Sequence, residues 1–245
     1  MKRLKMYIVP ALICFLCFCF VMPCSAVSAL SVSAKSAVLI EASTGKVLFE
    51  KNSTEKLPMA STTKIMTAIV AIENSSLSDK VSIDPSAVGV EGSSIYLHEG
   101  ELLTMENLLY ALLLSSANDA AAAIAIEVGG SIEGFADLMN EKADELGLKD
   151  THFDNPHGLD SETHYTTAYD LARLSAYALK NDTFRKIVST YKTTIPLDGN
   201  GTRVLINHNK LLRSYDGLIG VKTGFTKKSG RCLVSAAERD GLRLV

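Results

Sequence analysis

Ala60-Ser61-Thr62-Thr63-Lys64-Ile65-Met66-Thr67-Ala68-Ile69-Val70-Ala71-Ile72 is the stretch on which the reading of this chain turns. Ile65, Ile69 and Ile72 fall at helical spacing and the polar residues gather at the start, so the pattern predicts a buried helix opening near Ser61. Upstream, Ala37–Ile40 and Val47–Glu50 are strand-like runs around Ser43-Thr44-Gly45-Lys46, which predicts a hairpin. Downstream, Thr104 reads as the N-cap of a helix over Met105–Leu114. Asn118 begins an alanine-rich helical run to Val128, closed by Gly129-Gly130. Ser131 opens another helix with Phe135, Leu138 and Met139 on one face, and a further one starts at Thr167 and runs through Leu171, Leu174 and Ala178. After Asn181 the pattern becomes β-branched: Thr193–Ile195 and Arg203–Ile206 flank the turn Asp198-Gly199-Asn200-Gly201. Leu218–Thr223, Arg231–Ala237 and, past Asp240-Gly241, Leu242–Val245 are also strand-like. Strands at both ends around a helical block predict an α+β domain with one antiparallel sheet drawn from both chain ends.

The 245 residues are 47% hydrophobic and 21% charged, enough to bury a core, and no internal repeat is visible. Lys2, Arg3 and Lys5 precede an unbroken apolar run from Met6 to Met22, followed by Pro23 and the small residues Cys24-Ser25-Ala26. That pattern predicts a secretory signal over residues 1–26 and an exported chain over 27–245; an uncleaved anchor is the alternative reading. Four of the five cysteines lie in or beside the signal, so Cys232 stands alone in the exported chain and no internal disulfide can form. Its apolar neighbours make Cys232 a small buried hydrophobe rather than a nucleophile. The formal net charge of −2 gives no reason to bind nucleic acid, and 7% aromatics with no Trp argue against a stacking platform. The five His show no paired ligand spacing, so neither a metal nor another cofactor is expected.

Three short motifs carry chemistry. Ser-x-x-Lys sets a hydroxyl and an amine on one helical face, where the amine can take the hydroxyl proton. It occurs at Ser43/Lys46, Ser53/Lys56, Ser61/Lys64 and Ser189/Lys192, but only Ser61 opens an apolar helix, whose burial would hold Lys64 neutral. Ser116-Ala117-Asn118 supplies a hydroxyl that can relay a proton and an amide that can hold a substrate carbonyl. Lys222-Thr223-Gly224 lies in a strand-like segment. There a Gly permits close backbone approach, and Lys222 can attract a carboxylate while depressing the pKa of a nearby Lys64. Taken singly, the three also read as a first-turn serine with a solvated lysine, a helix cap, and a strand ending in a turn.

Together, with their first members 55 and 106 positions apart, they form the signature of class A β-lactamases and penicillin-binding proteins. Within that group the chain resembles the low-molecular-mass D-alanyl-D-alanine carboxypeptidases of bacterial cell walls. The wider likeness rests on Pro58–Thr67, Asn155-Pro156-His157-Gly158-Leu159-Asp160, Thr167–Ala172 and Gly217–Thr226, and extends from about residue 35 to the end. The resemblance implies a serine β-lactamase/DD-transpeptidase-like fold. It makes Ser61 the acylated nucleophile, Lys64 its general base and Ser116 the proton relay to the leaving D-alanine. Asn118 would hold the substrate amide, Lys222 and Thr223 the terminal carboxylate, and the N–H groups of Ser61 and Phe225, beside Gly224, the oxyanion. His157 is a further candidate in a family loop. The implied partners are the peptidoglycan stem pentapeptide and, as covalent inhibitors, β-lactam antibiotics.

The catalytic domain is expected over 27–245 and C-terminally incomplete, with contact to the outer face of the cytoplasmic membrane made through a C-terminal anchor not present in this sequence. A class A β-lactamase is the nearest rival, but the chain has no Glu-x-x-x-Asn pattern and carries Ala117 where those enzymes usually have Asp. A DD-endopeptidase using the same residues is a second enzymatic alternative. A silent wall-binding or β-lactam-sensing module is the non-enzymatic one.

Overall fold

Segments from opposite ends of the chain share one sheet. Strand β1 (Ala37–Ile40) pairs antiparallel with β2 (Val47–Lys51), Val38 opposite Glu50. Strands β7 (Leu218–Thr226), β8 (Gly230–Arg239) and β9 (Leu242–Leu244) form an antiparallel meander, Lys222 opposite Val234. Ile40 and Val245 exchange N–H to carbonyl bonds of 2.8 and 3.0 Å, and Ala42 N–H donates to Arg243 O at 2.9 Å. The strands therefore run β7-β8-β9-β1-β2, as expected of a sheet built from both ends. A computed structural model describes residues 31–197 and 201–245, and Lys35–Val245 forms one compact unit.

Between the terminal strands lies the helical block. Helix α1 (Lys64–Asn74) is buried at every position from Lys64 to Ala71, because a segment apolar on all sides is stable only inside the core. Around it pack α2 (Met105–Leu114), α3 (Asn118–Gly129), α4 (Ile132–Glu145), α5 (Ala168–Ala178) and α6 (Asp182–Val188). The alanines of α3 are buried, and their small side chains let neighbouring helices approach closely. Thr104, Ser131 and Thr167 accept N-terminal N–H groups from Asn107, Gly134 and Asp170, as the sequence predicted. The hairpin of β5 (Lys192–Leu197) and β6 (Gly201–Ile206) completes the wall beside α2.

Several features depart from the sequence reading. Ser61 does not open the α-helix: Ala60–Thr63 is a 3₁₀ turn and α1 starts at Lys64, because Ala60 is left-handed (φ +47°) and the Thr63 hydroxyl closes the turn onto Ala60 O at 2.8 Å. Helix α6 lies where only β-branched runs were read. It is seven residues long, capped by Asn181, and ends in Ile187-Val188. The short pair β3 (Lys80–Ser82) and β4 (Leu102–Thr104) is three residues a side, too brief to show alternation. Cys232 is partly rather than fully buried, and burial pushes its thiol pKa up. The signal expected over residues 1–26 lies outside the described residues, as do residues 198–200 of the expected second turn.

Arg203 on β6 ties the hairpin to the loop before β4. Its guanidinium forms a bidentate pair with Glu101, 2.8 Å at one contact, and donates to Ile95 O at 2.9 Å. Glu101 is 1% exposed, so removing one partner strands a buried charge. Glu101→Ala is expected to lower the unfolding free energy by about 3–5 kcal/mol. A urea titration beside wild type measures that loss.

Candidate active site

The buried amine of Lys64 is the centre of the site. Its Nζ lies 3.1 Å from Ser61 Oγ, 2.7 Å from Asn118 Oδ1 and 2.6 Å from the His157 carbonyl. Burial first, and the neighbouring Lys222 charge second, hold its pKa well below the usual lysine range, with Asp119 opposing. A neutral amine has two N–H groups and one lone pair. Asn118 and His157 accept the two hydrogens, which leaves the lone pair for the Ser61 hydroxyl proton.

Lys222 supplies the second amine. From β7 its Nζ donates to Ser116 Oγ at 3.0 Å and to Thr223 O at 2.9 Å, and burial pushes its pKa down to about 7. Ser116 is left-handed (φ +58°) and 4% exposed, a strained backbone that fixes its hydroxyl beside Lys222. The three motifs thus converge. Asn118 is not a cap: its side chain joins Lys64 to the Glu91 carbonyl, while its backbone N–H donates to Ser93 O at 2.7 Å.

Gly224 lets β7 run close under Ser61. A Cβ placed there would stand 3.0 Å from Ser61 N and 3.1 Å from the Ala60 side chain. Thr223 is half-buried next to it, and Phe225 follows with its ring 64% exposed and the Arg231 guanidinium 5.9 Å from the ring centre. On the other side of Ser61, Asn155 Oδ1 accepts from Gly158 N at 2.7 Å, and Pro156 O accepts from Thr67 Oγ1 at 2.6 Å. That strap delivers the His157 carbonyl to Lys64. The His157 ring is held neutral, its pKa lowered to about 3 by burial and then by Lys64 and His164, so His157 reaches the centre through its backbone. The other Ser-x-x-Lys pairs serve local structure: Ser53 donates to Glu50 at 2.6 Å, Lys56 pairs with Asp150 at 3.1 Å, and Ser189 bonds Arg185 O at 2.8 Å. Ser43 sits in the β1–β2 turn, its N–H donating to Glu41 at 2.9 Å.

A family model for D-alanyl-D-alanine carboxypeptidases matches residues 24–245. The chain belongs to the D-alanyl-D-alanine carboxypeptidase family. It is 42% identical over 223 residues to the carboxypeptidase DacF of Bacillus subtilis, covering 89% of this chain and 57% of that protein. It is 35% identical to the D-alanyl-D-alanine carboxypeptidase of Streptomyces sp. K15, covering 91% of this chain and 82% of that one. Among solved structures, the D-alanyl-D-alanine carboxypeptidase of Mycobacterium tuberculosis superposes with a TM-score of 0.85 at 33% identity, covering 91% of this chain and 85% of the other. DacD of Francisella tularensis gives 0.81 at 30%, covering 88% and 65%. The chain spans little more than half the length of the Bacillus relative. The α+β, DD-transpeptidase-like fold expected from the motifs is the fold of these relatives.

Sequence reasoning missed the residues that brace the family's motifs. Asp119 is 1% exposed and accepts from Ser94 Oγ at 2.6 Å, Leu97 N at 3.1 Å and Ala120 N at 2.9 Å, fixing the loop over Asn118. The signal was an acid in the first turn of an alanine-rich helix. Among the described residues no cluster of three or more His, Cys, Asp or Glu could hold a metal ion.

The half-buried His157 and the buried His164 imidazoles set an acid dependence. His157 and His164 have folded pKa values of about 3 and about 4, lowered from 6.5 chiefly by burial. As pH falls below 6.5 the unfolded chain takes up protons that the folded chain excludes, so their neutral-form stability is lost on acidification. The urea midpoint is expected to fall between pH 7 and pH 4.5, and to fall less in His164→Gln.

Proposed function

We propose that this chain is the catalytic domain of a serine D-alanyl-D-alanine carboxypeptidase that removes the terminal D-alanine from peptidoglycan pentapeptide. The observation that carries the reading is the Lys64 amine, buried, with both of its neutral-form hydrogens accepted and Ser61 Oγ 3.1 Å away. Ser61 Oγ bonds to the carbonyl carbon of the penultimate D-alanine as its proton passes to Lys64. The tetrahedral oxyanion is met by the backbone N–H groups of Ser61 and Phe225. Collapse breaks the C–N bond, and the leaving nitrogen takes a proton by way of Ser116. Protonated Lys222, with Thr223, holds the terminal carboxylate, and Asn118 faces the substrate amide. Water then attacks the ester with Lys64 again as base, which frees Ser61 and the shortened stem peptide.

β7 stands at the end of its three-stranded meander, which gives an extended stem peptide a strand to pair with. β-Lactams would enter as slow substrates whose ring opens onto Ser61. Residues 1–26 are read as the export signal and 27–245 as the catalytic domain, acting on the outer face of the cytoplasmic membrane. No helix among the described residues is long and apolar enough to cross a membrane. The test is D-alanine release from synthetic pentapeptide by the exported chain. Release lost in Ser61→Ala is expected; equal release by Ser61→Ala and wild type would sink the assignment.

A further inference from the structure

The left-handed backbone at Ala60 is held by a chain of hydrogen bonds in which the reacting groups take no part. Thr63 Oγ1 donates to Ala60 O at 2.8 Å, and the same oxygen lies 2.7 Å from His164 Nε2, 101 residues away in sequence. Asp154 N–H donates to His164 Nδ1 at 3.0 Å, so Nδ1 carries a lone pair and the single proton of the neutral ring sits on Nε2. Nε2–H therefore donates to Thr63, whose own hydroxyl proton is committed to Ala60. The imidazole is 3% exposed, with Phe153 edge-on at 5.8 Å between ring centres. Its pKa is lowered to about 4, first by burial, so the neutral tautomer persists through the physiological range.

That chain bears on the nucleophile through one peptide plane. The Ala60–Ser61 bond is trans, so its carbonyl and its N–H point to opposite sides. Ala60 O faces Gly158, where an added Cβ would stand 2.0 Å from it, while Ser61 N faces Gly224, where a Cβ would stand 3.0 Å away. Fixing the carbonyl on one side fixes the aim of the N–H on the other, toward β7. Without the Thr63 bond, the plane of a residue with φ of +47° has reason to relax.

We propose that His164 is a positioning residue for acylation, aiming the Ser61 N–H at the oxyanion through Thr63 and the Ala60 carbonyl. This rests on Ser61 being the acylated serine. The experiment measures benzylpenicillin acylation of the whole exported chain, with the first-order acylation step resolved from initial non-covalent binding. Wild type is compared with Thr63→Val, His164→Ala, His164→Gln and the Thr63→Val/His164→Ala double variant. Thr63→Val and His164→Ala are each expected to slow the acylation step by roughly 10- to 100-fold with initial binding unchanged. The double variant should be no slower than the worse single, because both cut one chain. His164→Gln should recover most of the rate, since its amide N–H can donate to Thr63. Thr63→Val preserves shape and carries the test alone if His164→Ala does not fold. A wild-type acylation step in folded Thr63→Val, or losses that multiply in the double variant, would overturn the proposal. Covalent label that persists in Ser61→Ala would instead overturn the assignment beneath it.

Discussion

Lys64→Met is expected to slow acylation of Ser61 by roughly 10³-fold or more in a chain that still folds. The side chain is completely buried, and Met fills nearly the same volume without an ammonium to desolvate. What disappears is the base. Among the described residues no other amine bonds Ser61 Oγ, and Lys222 Nζ is engaged with Ser116 and Thr223. Asn118 Oδ1 and the His157 carbonyl lose their donor, which costs about 1–3 kcal/mol for each acceptor left without a partner. The urea midpoint should therefore drop, while far-ultraviolet circular dichroism stays that of wild type. Lys64→Arg is expected to be as inactive as Lys64→Met, since a guanidinium remains charged and cannot accept the proton. Stopped-flow acylation by a chromogenic cephalosporin reads the rates. A Lys64→Met rate within tenfold of wild type would remove Lys64 from the base role.

Among the described glycines, Gly158→Ala is expected to be the most damaging alanine substitution. A Cβ at residue 158 would stand 2.0 Å from Ala60 O, 2.4 Å from Ala60 C and 2.9 Å from Thr63 Oγ1, and the backbone there is left-handed at φ +88°. Two of those three atoms are backbone, so relief requires the 3₁₀ turn carrying Ser61 and the strap carrying the His157 carbonyl to separate. A stability loss of about 3 kcal/mol or more follows, which in a domain of this size lowers the melting temperature by roughly 6–12 °C. Acylation should fall by about 10²-fold, because the nucleophile and the second acceptor of Lys64 move apart. Gly230→Ala provides the contrast: φ is +68°, but nothing stands within 4 Å of the new methyl, so only the conformational strain of about 1 kcal/mol remains. Thermal melts of the two variants side by side separate steric conflict from backbone strain.

The fold was legible where segments were long and their periodicity was clean. The Thr104, Ser131 and Thr167 caps, the alanine-rich α3 and the terminal strands all sit where the hydrophobic pattern and end signals put them. The 3₁₀ turn at Ser61 was not legible, because it depends on Ala60 adopting a conformation that alanine does not advertise and on a histidine a hundred residues away. The three motifs named the chemistry, and Ser61, Lys64, Ser116, Asn118 and Lys222 do meet. Their bracing is long-range: Asp119 serves a loop 22 to 25 residues upstream, and Asn155 and Thr67 shape a strap that only folding brings together. His157 shows the limit in one residue. It stood as a candidate by its place in a family loop, yet its carbonyl rather than its ring makes the contact, and no side-chain pattern encodes that.

Intact mass spectrometry of residues 27–245 mixed with benzylpenicillin, followed over hours and mapped by peptide digestion, reads the acyl-serine directly. The expected result is one added penicilloyl group on the peptide containing Ser61, lasting through the time course and absent from Ser61→Ala. A folded wild type that gains no such mass while the drug stays intact, or a Ser61→Ala variant that labels as wild type does, would contradict a Ser61 acyl-enzyme.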